Sequence, residues 1–257
     1  TFTGPAGDLE YRLYRPSSPG PHPVVLYFHG GGWVLGNATS DDPLCRDLCD
    51  RADVLVISAN YRHAPEARFP AAVDDAWAAV QWVAANAKQM GGKPGKLAVA
   101  GWSAGANLAA IVAQMARDTG GPAINGQLLL TPVTDGSRQS ASFTENGEGY
   151  ILTKALMEWF WNHYADPADR TKPTASPLLA SSLANLPPAM VVTAQFDPLR
   201  DEGNDYARAL RAAGVPVTHL QARGHIHTSI GMVDMLPSGK VIRGHMASAL
   251  RGFFVDA

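Results

Sequence analysis

Seven short apolar or β-branched runs punctuate this 257-residue chain, and helix-length stretches separate most of them. The runs are Leu9 to Tyr14, Pro23 to Phe28, Val54 to Ala59, Leu97 to Ala100, Leu128 to Thr131, Met190 to Ala194 and Val217 to Leu220. Helical patterns cover Ala71 to Ala87, Ala104 to Arg117, Lys154 to Tyr164, Glu202 to Ala213 and Val241 to Phe254. Two parallel strands need a crossover between them, so this alternation predicts βαβ units and an α/β fold around a mostly parallel central sheet flanked by helices. Most runs read as buried strands. The helix ending near Ala213 is delimited by Gly214 and Pro216, residues that stop a helix.

Composition narrows the class further. Apolar residues make up 46% and charged residues 17%, the latter below the usual share of about 25%, as expected of a globular chain with a large core. With 21 Lys+Arg against 23 Asp+Glu the net charge is −2 and no basic cluster occurs, which argues against a nucleic-acid partner. No apolar run reaches the roughly 18 residues of a membrane span, and Thr1 is not followed by the basic and apolar regions of a signal peptide, so a cytoplasmic location is expected. Cys45 and Cys49 stand four apart in what reads as one helix, a spacing that suits neither a disulfide nor a zinc site. No His-Glu-x-x-His occurs either, so neither metal nor cofactor is implied.

One segment breaks the rhythm. From Thr134 to Gly149 the chain is polar and rich in Gly and Ser, then follow the aromatic helix with Trp159, Phe160 and Trp161 and a proline-punctuated stretch to Pro188. Insertions this long in compact domains are usually lids or binding loops. The expectation is one domain, residues 1–257, with a partial cap at about 134–188.

The sharpest chemical signal is Gly101-Trp102-Ser103-Ala104-Gly105, between a strand pattern and a helix pattern. A Gly-x-Ser-x-Gly in that setting makes a tight turn that exposes the Ser103 hydroxyl, and the helix start adds partial positive charge beside it. His29-Gly30-Gly31-Gly32-Trp33 follows another strand pattern. Successive glycines leave amide N–H groups free to meet a developing oxyanion; neither phosphate-cradle spacing, Gly-x-x-x-x-Gly-Lys-Ser/Thr or Gly-x-Gly-x-x-Gly, fits this stretch. A serine nucleophile needs a base and an orienting carboxylate. Asp197 follows the Met190 to Ala194 run and is the candidate carboxylate, against the alternative that it caps the next helix. The order Ser, Asp, His leaves His219, His225, His227 and His245; the first and last sit inside strand and helix patterns, and spacing does not separate His225 from His227.

Several motifs together resemble the hormone-sensitive-lipase group of α/β-hydrolases, bacterial esterases included. They are HGGGW at 29–33, SANYRHAPEARFPAAVDDAW at 58–77, GWSAGANLAA at 101–110, SPLL at 176–179 and TAQFDPLRDEG at 193–203. The likeness covers nearly the whole chain and implies an α/β-hydrolase fold without a cofactor. It also implies His227 as the base, three residues after Gly224. That family ordinarily has helices ahead of its first strand that form half the cap, whereas this chain reaches Leu9 almost at once, so either the cap is reduced or the ends were removed; its members often pair through the last strand and its helix, which would make a homodimer from Val217 to Leu220 and Val241 to Phe254. The chain departs from the pattern at Trp102, where the group has an acid, at Ala106, where it has glycine, and at Thr228-Ser229, where it has Gly-Phe.

On this reading Ser103 attacks a small-molecule ester, His227 shuttles the proton, Asp197 fixes the imidazole, and the amides of Gly31, Gly32 and Ala104 hold the oxyanion. Trp33, Trp102, Phe143, Trp159, Phe160 and Trp161 are the expected pocket walls, and short acyl chains the expected substrates. Two rival classes are an amidase or formamidase on the same triad and a non-catalytic ligand-binding protein. Arg62 and Glu66 are expected to pair across a turn.

Overall fold

The computed structural model describes residues 1–233 and 235–255. A small hairpin, β1 (Phe2–Gly4) and β2 (Gly7–Leu9), precedes the main sheet. The chain continues through β3 (Tyr11–Tyr14), β4 (His22–Phe28), α1 (Asp42–Ala52), β5 (Leu55–Ala59), α2 (Ala71–Asn86), β6 (Gly92–Trp102), α3 (Ala104–Thr119) and β7 (Gly126–Leu130). Then come α4 (Ala141–Glu145), α5 (Lys154–Tyr164), β8 (Ala189–Phe196), α6 (Arg200–Ala212), β9 (Val217–Ile226) and α7 (Pro237–Gly252). The main sheet has the order β3-β5-β4-β6-β7-β8-β9, with β3 antiparallel to β5 and the other neighbours parallel. The expected run Leu9 to Tyr14 is divided at Glu10, its first residue pairing in the hairpin and its last four in the sheet.

Strand parity explains why both faces are covered. Val24, Leu26 and Phe28 lie on one face with Leu55, Ile57, Val99, Leu129 and Val191, in one cluster with the apolar stripes of α2, α3 and α6. Val25 and Tyr27 lie on the other with Val56, Ala98, Leu128 and Val192, under α1 and α7. A strand buried on both sides cannot alternate in hydropathy, hence the continuous apolar runs of β4 to β8. The two edge strands, β3 and β9, keep exposed or half-buried positions through most of their length. The Arg62 expectation is corrected: its guanidinium grips Asp75, fully buried in α2, with Nη2 at 2.8 Å, and among the described residues no other cation offsets the burial of that carboxylate. Among the described residues no helix is long and apolar enough to cross a membrane.

Sheet order also locates a crevice. From β4 the chain moves to β5 on one side and then to β6 on the other, so the loops after β4 and β6 part above the sheet. Open α/β sheets bind ligands at such a switch point.

Candidate active site

β6 pairs in register with β4, Gly101 opposite Phe28, so His29-Gly30-Gly31-Gly32 and Ser103 leave the same edge as neighbours. Ser103 has φ 57° and ψ −118°, a left-handed backbone uncommon for a side chain, held by its amide donating to the Leu130 carbonyl at 2.9 Å and its carbonyl accepting from the Asn107 amide at 3.0 Å. The tight turn brings α3 close to β4: a Cβ on Gly105 would stand 2.0 Å from the Phe28 carbonyl oxygen. Ala104 is the first residue of α3, where backbone amides lack intrahelical acceptors.

The same register logic joins the other two residues. Phe196 of β8 pairs with Ile226 of β9, which puts the next residues, Asp197 and His227, side by side. His227 Nδ1 lies 2.8 Å from Asp197 Oδ2, and both side chains are buried. Asp197 Oδ1 accepts from the Leu199 amide at 2.9 Å, so the carboxylate also meets the chain entering α6. The Trp102 indole N–H donates to the His227 carbonyl at 3.3 Å, and a Cβ on Gly231 would collide with that ring at 2.6 Å. Trp102 is thus a strut under the histidine loop.

Ser103 and His227 are walls of one cavity of about 290 Å³. The glycines 30 to 32 form part of its rim, and Leu152, Leu156, Phe160 and Trp102 supply apolar walls, with the exposed Leu35 and Ile151 beside them. Gly30 is spoken for, its amide donating to Asp41 Oδ2 at 3.2 Å, whereas among the described residues no protein acceptor takes the amides of Gly31 or Gly32. Asp41 also lines the cavity; burial holds its carboxyl above the ordinary range, opposed by the Tyr27 hydroxyl and the Gly30 amide. Burial pushes His29, at the start of the glycine loop, the other way, below the ordinary imidazole range. Among the described residues no cluster of three or more His, Cys, Asp or Glu side chains could hold a metal ion.

Comparison with known proteins agrees with this architecture. The alpha/beta hydrolase fold family model matches residues 25–230. Carboxylic ester hydrolase LipN of Mycobacterium tuberculosis is 45% identical over 98% of this chain and 69% of its own length. The chain belongs to the hormone-sensitive-lipase group of α/β-hydrolases. An ethyl acetate hydrolase of Pseudomonas putida is 43% identical over 91% of this α/β-hydrolase and 73% of its own chain. The crystal structure of EstE1, a thermostable carboxylesterase from a metagenomic library, superposes with a TM-score of 0.96 at 39% identity, covering 99% of this chain and 87% of its own.

Four of the expected wall residues of this hydrolase lie elsewhere. Trp33 is fully buried behind the glycine loop, stacked on Tyr164 at 4.1 Å and packed against Trp161 at 4.7 Å. Phe143 follows α4 onto α6, where the Ser142 amide donates to Asp201 and its hydroxyl to the Pro198 carbonyl; it borders a separate hollow with Asp135 and Glu202. Trp159 is 42% exposed and rests on His163, because a neighbour one position along a helix from Phe160 points about 100° away. Trp161, for its part, belongs to the Trp33 stack. Trp102 and Phe160 do line the cavity. The missed wall residues Leu152 and Leu156 are eight and four positions before Phe160, a helical spacing that the sequence displays. Asp41 was hidden by its place before Asp42-Pro43, which reads as a plain helix start.

Proposed function

We propose that this carboxylic ester hydrolase cleaves short-chain acyl esters through Ser103, His227 and Asp197. Ester hydrolysis is the activity in the names of its relatives, among them LipN, and of the esterase structures it resembles. The observation that carries the finer reading is the 2.8 Å contact of His227 Nδ1 with Asp197 Oδ2, in a histidine that shares a cavity wall with Ser103 and the glycine loop. With Nδ1 engaged by the carboxylate, Nε2 is the nitrogen available as base. Ser103 Oγ attacks the ester carbonyl, giving its proton to His227; the oxyanion meets the amides of Gly31, Gly32 and Ala104. Collapse expels the alcohol, which takes the proton from His227, and water repeats the sequence on the acyl-enzyme. Each oxyanion donor of this kind is worth about 10² to 10³ in turnover.

Size supports short acyl chains. A cavity of about 290 Å³ stands at the small end of ligand sites. The segment 134–188 serves as a partial cap, its residues Ile151, Leu152, Leu156 and Phe160 closing the apolar side. An acyl-length series of p-nitrophenyl esters tests the reading, with Ser103→Ala as control and matched amides in parallel. Chains of about two to six carbons should give the highest kcat/KM, and Ser103→Ala should fold normally with hydrolysis nearly abolished. A maximum at long chains overturns the size argument; undiminished turnover in Ser103→Ala overturns the nucleophile.

A further inference from the structure

The cavity carries one charged group that ester hydrolysis leaves unused. Asp41 stands at the N-terminal cap position of α1, where an aspartate ordinarily accepts from the first amides of its own helix, yet it makes no such bond. Its carboxylate instead meets the wall of the cavity, with Oδ2 accepting from both the Tyr27 hydroxyl at 2.8 Å and the Gly30 amide at 3.2 Å. Two donors therefore share one oxygen, and among the described residues Oδ1 accepts from none. The residue is only 9% exposed. No lysine or arginine is among the described residues lining the cavity, so within this space the carboxylate lacks a protein cation to face.

A carboxylate withdrawn from water and left with an open oxygen is improved by a positive partner and worsened by a second negative charge. Trp102 and Phe160 line the same cavity, and aromatic faces attract ammonium groups, quaternary ones included. The remaining walls are mainly glycine and aliphatic, which hold the body of a small ester but offer no competing charge. We propose that Asp41 determines specificity, selecting esters that carry an ammonium group and rejecting those that carry a carboxylate. The inference rests on the esterase reading above and names its substrate class.

Two pairs of substrates, differing only in nitrogen against carbon, test it on either side of the ester bond. On the alcohol side, trimethylammonioethyl acetate is compared with neohexyl acetate. On the acyl side, the p-nitrophenyl ester of trimethylammoniobutyrate is compared with that of its tert-butyl carbon isostere. The wild type should favour the cation in at least one pair by about tenfold in kcat/KM, and Asp41→Asn should bring that ratio to about one. The ratio is internal to each protein, so a general loss of turnover in the variant does not blur it. Should the variant fail to fold, the wild type still decides: tetramethylammonium should inhibit it competitively at concentrations where tert-butanol does not, and p-nitrophenyl hemisuccinate should be cleaved more slowly than the butyrate. Neutral esters equal or preferred in both pairs, or a ratio that survives Asp41→Asn, overturns the inference alone. A wild type that cleaves none of the four overturns the esterase reading and this inference with it.

Discussion

Asp197 divides its two oxygens between two tasks, Oδ2 facing His227 Nδ1 and Oδ1 accepting from the Leu199 amide. The second contact fixes the carboxylate plane, so the first does not depend on a freely turning side chain. Asp197 thus faces the imidazole and accepts from an amide just ahead of α6, while the N-cap position of that helix is Leu199 and makes no side-chain cap bond. Asp197→Asn preserves size but can set an amide NH2 group against Nδ1, which favours the imidazole tautomer whose Nε2 bears hydrogen and cannot act as base. On the proposed mechanism kcat for p-nitrophenyl acetate should fall by about 10⁴, with the melting temperature little changed; a loss under tenfold would count against the assignment. Ser103 and Asp197 were readable in sequence because a sharp strand-to-helix turn and a strand end impose residue types on the backbone. Trp33, Phe143 and Trp159 were not, since whether an aromatic ring faces a core, a cavity or solvent depends on neighbours that no local pattern names.

At the scale of elements, register does what sequence separation cannot. Phe28 opposite Gly101 and Phe196 opposite Ile226 bring four loops to one edge, although the residues that follow them span positions 29 to 227. The strands were legible as apolar runs and the helices as spaced ones. The extension of β9 from Leu220 to Ile226 was not, because Gln221-Ala222-Arg223-Gly224 is polar or small, and it pairs with β8 only because Met190 to Ala194 offers a continuous ladder beside it. Close approach of α3 to β4 depends on Gly105. An alanine there would put its methyl 2.0 Å from the Phe28 carbonyl oxygen, a backbone atom that cannot step aside, so helix and strand must separate. Gly105→Ala should destabilise by about 1–3 kcal/mol or more in urea unfolding. Gly244, inside α7 with open space around it, gives the opposite sign: Gly244→Ala should stabilise by about 0.5–1 kcal/mol. Equal effects at the two positions would mean that approach of α3 to β4 is not what Gly105 provides.

Across the whole molecule the charge that folding buries sets how stability responds to pH, and two residues pull in opposite directions. Glu202, fully buried in α6 with Oε1 accepting from the Thr134 and Asp135 amides, has its pKa pushed up to about 8 by burial. His63, whose Nε2 is buried with no partner among the described residues, is pulled down to about 4, by burial and then by His29. Glu202 is protonated in the folded state over a range where the unfolded chain has lost that proton, so its contribution is full below the ordinary carboxylate pKa and declines as pH rises towards 8. His63 is neutral when folded and charged when unfolded, so its contribution is full above the ordinary imidazole pKa and declines as pH falls towards 4. Neither group betrays itself in sequence: Glu202 reads as a favourable acid in a first helical turn, and His63 as one residue in a loop. Melting temperatures of Glu202→Gln and His63→Leu, each taken against wild type from pH 4 to 9, separate the two effects. Glu202→Gln should gain on wild type by ~5 °C or more between pH 5 and 8.5, and His63→Leu should gain on it as pH drops from 7 to 4. A difference from wild type that stays flat with pH in either variant would mean that the residue's proton affinity is the same folded and unfolded, whatever its burial.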